Sequence, residues 1–110
     1  YYASSEDFGL TWSVAHPCSI PNNNSGLDTV IAQNDILALI YNPNGENWGP
    51  RYPITLAISD DNGKSFLHSV SLEPQVGEYS YPAMIFDGKK LHITYTYKRV
   101  SIRYIEAEII

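Results

Sequence analysis

Cysteine, methionine and positive charge are all scarce in this chain of 110 residues: one Cys, one Met, and seven Lys and Arg against twelve Asp and Glu. Each scarcity excludes something. Cys18 alone cannot close an internal disulfide, and no Cys or His partners it at zinc-site spacing, so no metal, redox centre or other cofactor is expected. His16 lies two positions before Cys18, but Pro17 and the Ser19 to Pro21 stretch read as a connecting loop with a half-buried, structural Cys18. A net charge of −5 leaves no basic stripe for a phosphate backbone and argues against nucleic acid. The longest apolar run, Ile36 to Tyr41, is far shorter than the roughly 20 residues of a spanning helix, so membrane insertion is not expected. Tyr1, Tyr2 and Ala3 open the sequence with neither the basic nor the apolar region of a secretory leader.

What the chain does have is aromatic and turn-forming: nine Tyr, seven Gly and seven Pro. Tyr suits a pleated, half-buried surface and Gly and Pro punctuate turns, so the composition points to an all-β fold and away from an all-helical one. One internal repeat stands out. Ser5-Glu6-Asp7-Phe8-Gly9-Leu10-Thr11-Trp12 and Ser59-Asp60-Asp61-Asn62-Gly63-Lys64-Ser65-Phe66 share Ser-x-Asp-x-Gly-x-(Ser/Thr)-aromatic, 54 residues apart. In such a turn the Asp carboxylate accepts from turn amides, Gly takes a positive φ, and the closing aromatic packs on the sheet.

Strands are predicted at Asp28 to Gln33, Asp35 to Asn42, Tyr52 to Ser59 and Phe66 to Leu72, one antiparallel four-stranded unit with the second octapeptide before its last strand. A second set follows at Tyr81 to Phe86, Lys90 to Tyr97 and Ser101 to Glu108, with Asp87-Gly88 as a hairpin turn. Alternation is clean in Leu91 to Tyr97: Leu91, Ile93, Tyr95 and Tyr97 share one face, and His92, Thr94 and Thr96 the other.

The two octapeptides resemble the Asp-box, or bacterial neuraminidase repeat, of β-propeller blades. The resemblance extends through Pro21-Asn-Asn-Asn-Ser-Gly-Leu-Asp28, Arg51-Tyr-Pro-Ile-Thr-Leu-Ala-Ile-Ser-Asp-Asp-Asn-Gly63, Glu78-Tyr-Ser-Tyr-Pro82 and Leu91-His-Ile-Thr-Tyr-Thr-Tyr97. It is to the sialidase-like Asp-box family, and implies about two antiparallel four-stranded blades from the C-terminal third of a six-bladed propeller. Residues 1–15 would end a preceding blade with the first box, residues 16–74 form a complete blade with the second, and residues 75–110 give three strands of a further one. Asp7, Gly9, Trp12, Asp61, Gly63 and Phe66 are then turn-builders on the rim.

By the same resemblance Arg51 matches the third arginine of the triad that binds the sugar carboxylate, a task its planar fork suits. Tyr79 matches the catalytic tyrosine, with Tyr81, expected on the same strand face, as competing assignment and substrate contact. A neutral phenol suits a substrate that already bears a carboxylate at the reacting carbon, where an anionic nucleophile would be repelled. Asn24 and Ser25, in an amide-rich loop, are candidate sugar contacts; the bland reading of that loop is a turn-rich connection. Asn23-Asn24-Ser25 also has the form of a glycosylation acceptor. Glu78, beside Tyr79 on the strand, is expected on the opposite face and not as its base. Salt links to Glu106 or Glu108 are the simpler roles for Arg99 and Arg103.

The family's aspartate, glutamate and first two arginines come from earlier blades, so an incomplete site is expected here. The parent activity implied is a retaining exo-α-sialidase with a Tyr nucleophile, releasing terminal sialic acid from glycoconjugates; the alternative is a non-catalytic carbohydrate-binding or scaffolding propeller module. The expected partner is a sialic-acid-bearing or other acidic glycan, in an extracellular or periplasmic setting. Two blades leave apolar sheet faces uncovered, which points to a homo-oligomer, three copies closing a six-bladed ring, or to a longer chain.

Overall fold

A computed structural model describes all 110 residues. Seven strands occur in chain order: β1 (Asp28–Ile31), β2 (Leu37–Tyr41), β3 (Ile54–Ser59), β4 (His68–Glu73), β5 (Tyr79–Phe86), β6 (Leu91–Tyr97) and β7 (Ser101–Ala107). They make two antiparallel sheets, one four-stranded in the order β1-β2-β3-β4 and one three-stranded in the order β5-β6-β7. Each is a meander joining sequence neighbours, as a propeller blade is. The sole helical element is a 3-10 turn at Gln33–Asp35, and no helix is long and apolar enough to cross a membrane. Asn34 and Asp35 take positive φ there, which ends β1 at Ile31 and delays β2 to Leu37.

The core lies between the sheets. Ala38, Ile40, Ile54 and Leu56 from the first meet Tyr79, Met84, Leu91, Ile93 and Tyr95 from the second. Ile40, Ile54, Leu91 and Ile93 are wholly buried, each such side chain stabilising the fold by about 1.5–3 kcal/mol. The β6 alternation follows the sequence pattern, Leu91, Ile93 and Tyr95 inward and His92, Thr94 and Thr96 partly exposed. On the far side of the four-stranded sheet, Leu39, Tyr41 and Ala57 are covered by Ile20 and Phe66. The far side of the three-stranded sheet is uncovered and presents Ile85, Ile102 and Tyr104.

Both octapeptides fold alike. Asp7 Oδ1 accepts from Ser5 Oγ and Thr11 N, Asp7 Oδ2 from Thr11 Oγ1, and Ser5 Oγ accepts from Gly9 N. Asp61 repeats the set with Ser59, Ser65 and Gly63. Gly9 and Gly63 have φ of +86° and +83°. The second turn joins β3 to β4, with Phe66 packed on the sheet; Trp12 of the first donates Nε1–H to the Gly9 carbonyl and remains 64% exposed, with no sheet of this chain beneath it.

Cys18 is exposed rather than half-buried, because residues 17–20 form an irregular connection that belongs to neither sheet. Arg103 pairs with Glu73 at 3.6 Å and Arg99 with Glu78 at 2.5 Å, not with Glu106 or Glu108. For Arg103 the reason is strand parity, since it shares its face of β7 with the inward Ile105 and Ala107 while Glu106 points the other way, to Lys90 at 2.8 Å; Arg99 lies in the β6–β7 turn, which the Lys98 amide ties to the Glu78 carbonyl.

Hydrogen bonds from the Thr11 or Ser65 hydroxyl and amide hold the Asp7 and Asp61 carboxyls down to about 2. A depressed carboxyl contributes stability that is complete above the unfolded-state value, near 4, and is lost as pH falls through the folded value. Thermal melts of Asp61→Asn are therefore expected to show a shallower fall in Tm between about pH 4 and pH 2 than the parent. Parallel curves would exclude Asp61 from the acid response.

Candidate functional site

Arg51, Tyr79 and the loop of Asn24 and Ser25 converge where the two sheets meet. A buried polar network brings them together. Asn42, at the end of β2 and wholly buried, donates Nδ2–H to the carbonyls of Pro53, at 2.9 Å, and Tyr79, at 3.1 Å. Ser25 Oγ lies 3.0 Å from Asn42 Oδ1 and is also hydrogen-bonded to Asn23 Oδ1. Asn23, itself buried, donates to the carbonyls of Gly49, at 3.2 Å, and Pro50, at 3.0 Å. The amide of Tyr79 closes the circuit on the Arg51 carbonyl at 3.0 Å. The asparagine of the glycosylation pattern is thus a buried structural donor, and Ser25 belongs to this scaffold.

Above the scaffold opens a cleft of about 460 Å³ lined by Asn24, Trp48, Arg51, Tyr52, Glu78 and Arg99, with Asn23, Gly49, Pro50, Val76 and Gly77 completing its wall. Arg51 is half-buried, its guanidinium 3.9 Å from Glu78 and over the Tyr81 ring at 5.3 Å from the centroid. The contact to Glu78 is too long for a bidentate pair, so most of Arg51's five N–H donors stay open to the cleft. Glu78 is engaged more closely by Arg99. Two guanidiniums around one carboxylate make the local balance positive in a chain that is acidic overall.

The tyrosines part company. Tyr79 is buried, edge-on to Tyr95 and tilted against Tyr97, with its phenol end against Gly77, where an added Cβ would stand 2.6 Å from the hydroxyl oxygen. Tyr81 is 69% exposed. They do not share a face, because the β5–β6 register shifts between Ser80 and Ala83 and Tyr81 takes φ +52°; the bulge turns Tyr81 outward beneath Arg51. Glu78 faces Arg51 and Arg99.

Several contributors escaped the sequence reading. Asn42 was concealed in Asn42-Pro-Asn-Gly45, which reads as an ordinary turn. Trp48, exposed on the cleft wall, had no periodic context. Glu73, one residue from a predicted strand end, accepts a 2.9 Å hydrogen bond from the Tyr95 hydroxyl across the sheets; burial, then Glu73, pushes that phenol well above its usual range. No group of three or more His, Cys, Asp or Glu side chains is placed to hold a metal.

Asn42→Ala is expected to cost about 2–4 kcal/mol in urea unfolding, since it takes the Asn42 donor from the Pro53 and Tyr79 carbonyls and leaves the Ser25 hydroxyl with Asn23 alone. A loss below about 0.5 kcal/mol would mean the network is dispensable.

The BNR repeat-like domain, as a family model, matches residues 1–93. No curated protein and no solved structure matches the chain.

Proposed function

The chain belongs to the BNR repeat-like family, and from that premise we propose that it is a sialidase-like module whose own contribution is to recognise the carboxylate of a terminal acidic sugar. The observation that carries this reading is Arg51: half-buried at a cleft wall, fixed through its own backbone to Tyr79, yet only loosely engaged by Glu78. A planar fork held in place with open donors suits a bidentate carboxylate contact, and little ordering entropy remains to be lost on binding. Asn24 adds an amide on the same wall, and Tyr81 supports the guanidinium from below.

In a complete propeller this module would serve a retaining exo-α-sialidase acting on sialic-acid-bearing glycoconjugates. Tyr79 would be the nucleophile: its phenol proton would pass to the glutamate of an earlier blade as its oxygen bonds to the anomeric carbon, the aspartate of an earlier blade would protonate the departing sugar's oxygen, and water would then cleave the tyrosyl–sugar bond and return the phenol proton. A second reading, a non-catalytic carbohydrate-binding module, is favoured by one specific observation, the burial of Tyr79 against Gly77. A nucleophile must reach the reacting carbon, and Tyr79 does so only if the Gly77 segment gives way.

Arg51→Lys keeps the charge and loses the fork. Its affinity for N-acetylneuraminic acid is expected to fall by about 1–3 kcal/mol in calorimetry, and unchanged affinity would make Arg51 a surface residue. In a full propeller carrying this segment, Tyr79→Phe is expected to abolish hydrolysis of a fluorogenic sialoside while binding persists and Tyr81→Phe retains most activity. Parent-level turnover by Tyr79→Phe would remove Tyr79 from the chemistry.

A further inference from the structure

Two Asn-Gly dipeptides occur in the chain, Asn44-Gly45 and Asn62-Gly63. In such a pair the Gly amide nitrogen can reach the carboxamide carbon of the Asn, because Gly brings no side chain against the approach. The fold treats the two pairs oppositely. Gly63 donates its amide to Ser59 Oγ at 2.9 Å, and Ser59 Oγ donates in turn to the Asp61 carboxylate at 2.7 Å. For that nitrogen to attack, it must first give up its proton, which sets negative charge beside an oxygen lone pair and an aspartate. The Gly45 amide, by contrast, donates to no group of the chain. Asn44 is also held ready for attack. Its own amide is bonded to the Asn42 carbonyl at 2.8 Å, and its Oδ1 accepts from the Glu46 amide at 2.8 Å. The second bond folds the carboxamide back over the Gly45 peptide, draws electron density from the carbon to be attacked, and meets the charge that develops on Oδ1.

We propose that Asn44-Gly45 is a self-modification site, where the chain converts Asn44 to aspartate and isoaspartate without an enzyme, and that the second Asp-box protects Asn62-Gly63 from the same reaction. The Gly45 nitrogen gives its proton to solvent base and bonds to Asn44 Cγ. The Cγ–Nδ2 bond breaks, and ammonia leaves with a proton from water, so that a five-membered succinimide remains. Water then adds to one of the two ring carbonyls, and nothing is oxidised or reduced. Addition at the side-chain carbonyl breaks the new Cγ–N bond and gives aspartate; addition at the main-chain carbonyl breaks the original peptide bond and gives isoaspartate, with one extra carbon in the backbone. The place of the site gives the reaction a consequence. Residue 44 stands directly behind the cleft wall, since a Cβ on Gly49 would come within 2.6 Å of Asn44 Oδ1, and the Gly49 amide closes the same turn on the Glu46 carbonyl at 2.8 Å. A longer backbone and a new carboxylate at that point displace Trp48, whatever ligand the cleft takes.

The test incubates the 110-residue chain in mildly alkaline buffer, with and without urea, and follows both dipeptides by peptide mapping and isoaspartate-specific methylation. In the folded chain Asn44 is expected to convert about tenfold faster than Asn62 or more, and in urea the two rates should agree within about twofold, since what separates them belongs to the fold. Gly45→Ala is accommodated, because Gly45 does not take a positive φ and an added Cβ would meet only Pro21, at 3.7 Å. It should slow conversion of Asn44 by about tenfold with the melt unchanged. Ser59→Ala frees the Gly63 amide and should raise the Asn62 rate; the urea comparison decides the same point if that variant does not fold. In a Trp12→Phe background, the purified isoaspartate form should show shifted Trp48 emission. Asn62 converting as fast as Asn44 in the folded chain, or an Asn44 to Asn62 ratio that urea leaves unchanged, would overturn the site. An Asn62 rate indifferent to Ser59→Ala in a folded variant would overturn the protection, and unshifted Trp48 emission would overturn the effect on the cleft wall.

Discussion

The structure turns on one buried carboxamide. Asn42 sits where β2 ends, and its two donors and one acceptor reach three separate stretches of chain: the strand entry at Pro53, the start of β5 at Tyr79 and the loop at Ser25. Two of those stretches present a carbonyl and the third a hydroxyl that it shares with Asn23, and only a side chain that both donates and accepts can serve all three. An aspartate would bury a charge and lose both donors; a leucine would fill the volume and leave the carbonyls stranded. Docking of the two sheets and placement of the cleft are therefore one event, since the carbonyls that Asn42 holds border the residues that line it.

The electrostatics of the cleft follow from what Glu78 does and does not do. It takes up Arg99, the more exposed guanidinium, and stands off from Arg51. Exposed pairs of this kind contribute little to stability because water and salt screen them. Their effect is on orientation. Glu78 limits where the two cations can point, and Tyr81, turned outward by the β5 bulge, limits the Arg51 plane further. A chain with a net charge of −5 thus presents a locally positive rim, which favours an anion at that point and at few others.

The sequence made the local structure plain and the meeting of distant parts obscure. The Asp-box turns were legible because their bonds run among residues two to four apart, each satisfied by an Asp, Ser, Thr or Gly at a fixed offset. The β6 faces were legible because period-two alternation states burial directly. Arg51 and Tyr79 were named through resemblance, and the fold puts their backbones in contact. What stayed hidden depends on how one sheet meets the other. Tyr81 reads as facing the same way as Tyr79 until a bulge is inserted, and Arg103 finds Glu73 only once β7 has a defined inner face. Trp48 and Asn42 lie in or beside a stretch rich in Asn, Gly and Pro, where composition announces a turn and is silent about what the turn presents.

The meander arrangement has a consequence for how the chain reaches this state. Every ladder joins strands adjacent in sequence, so each sheet can zip from its own hairpins with short loop closures. The sheets then meet through their shared apolar core and through polar contacts of long separation, among them Gln33 on the Ile109 carbonyl, 76 residues away, the Met84 amide on Asp28 at 56, Asn42 on Tyr79 at 37 and Tyr95 on Glu73 at 22. Until they form, each sheet carries an apolar face with nothing against it, and the half-assembled chain is vulnerable to pairing with the wrong neighbour. Polar contacts that demand specific partners discriminate among such encounters better than apolar ones do, because a misdocked sheet leaves buried amides and carbonyls unmatched. The seam that carries the cleft thus also holds the contacts by which the correct docking of the two sheets differs from a wrong one.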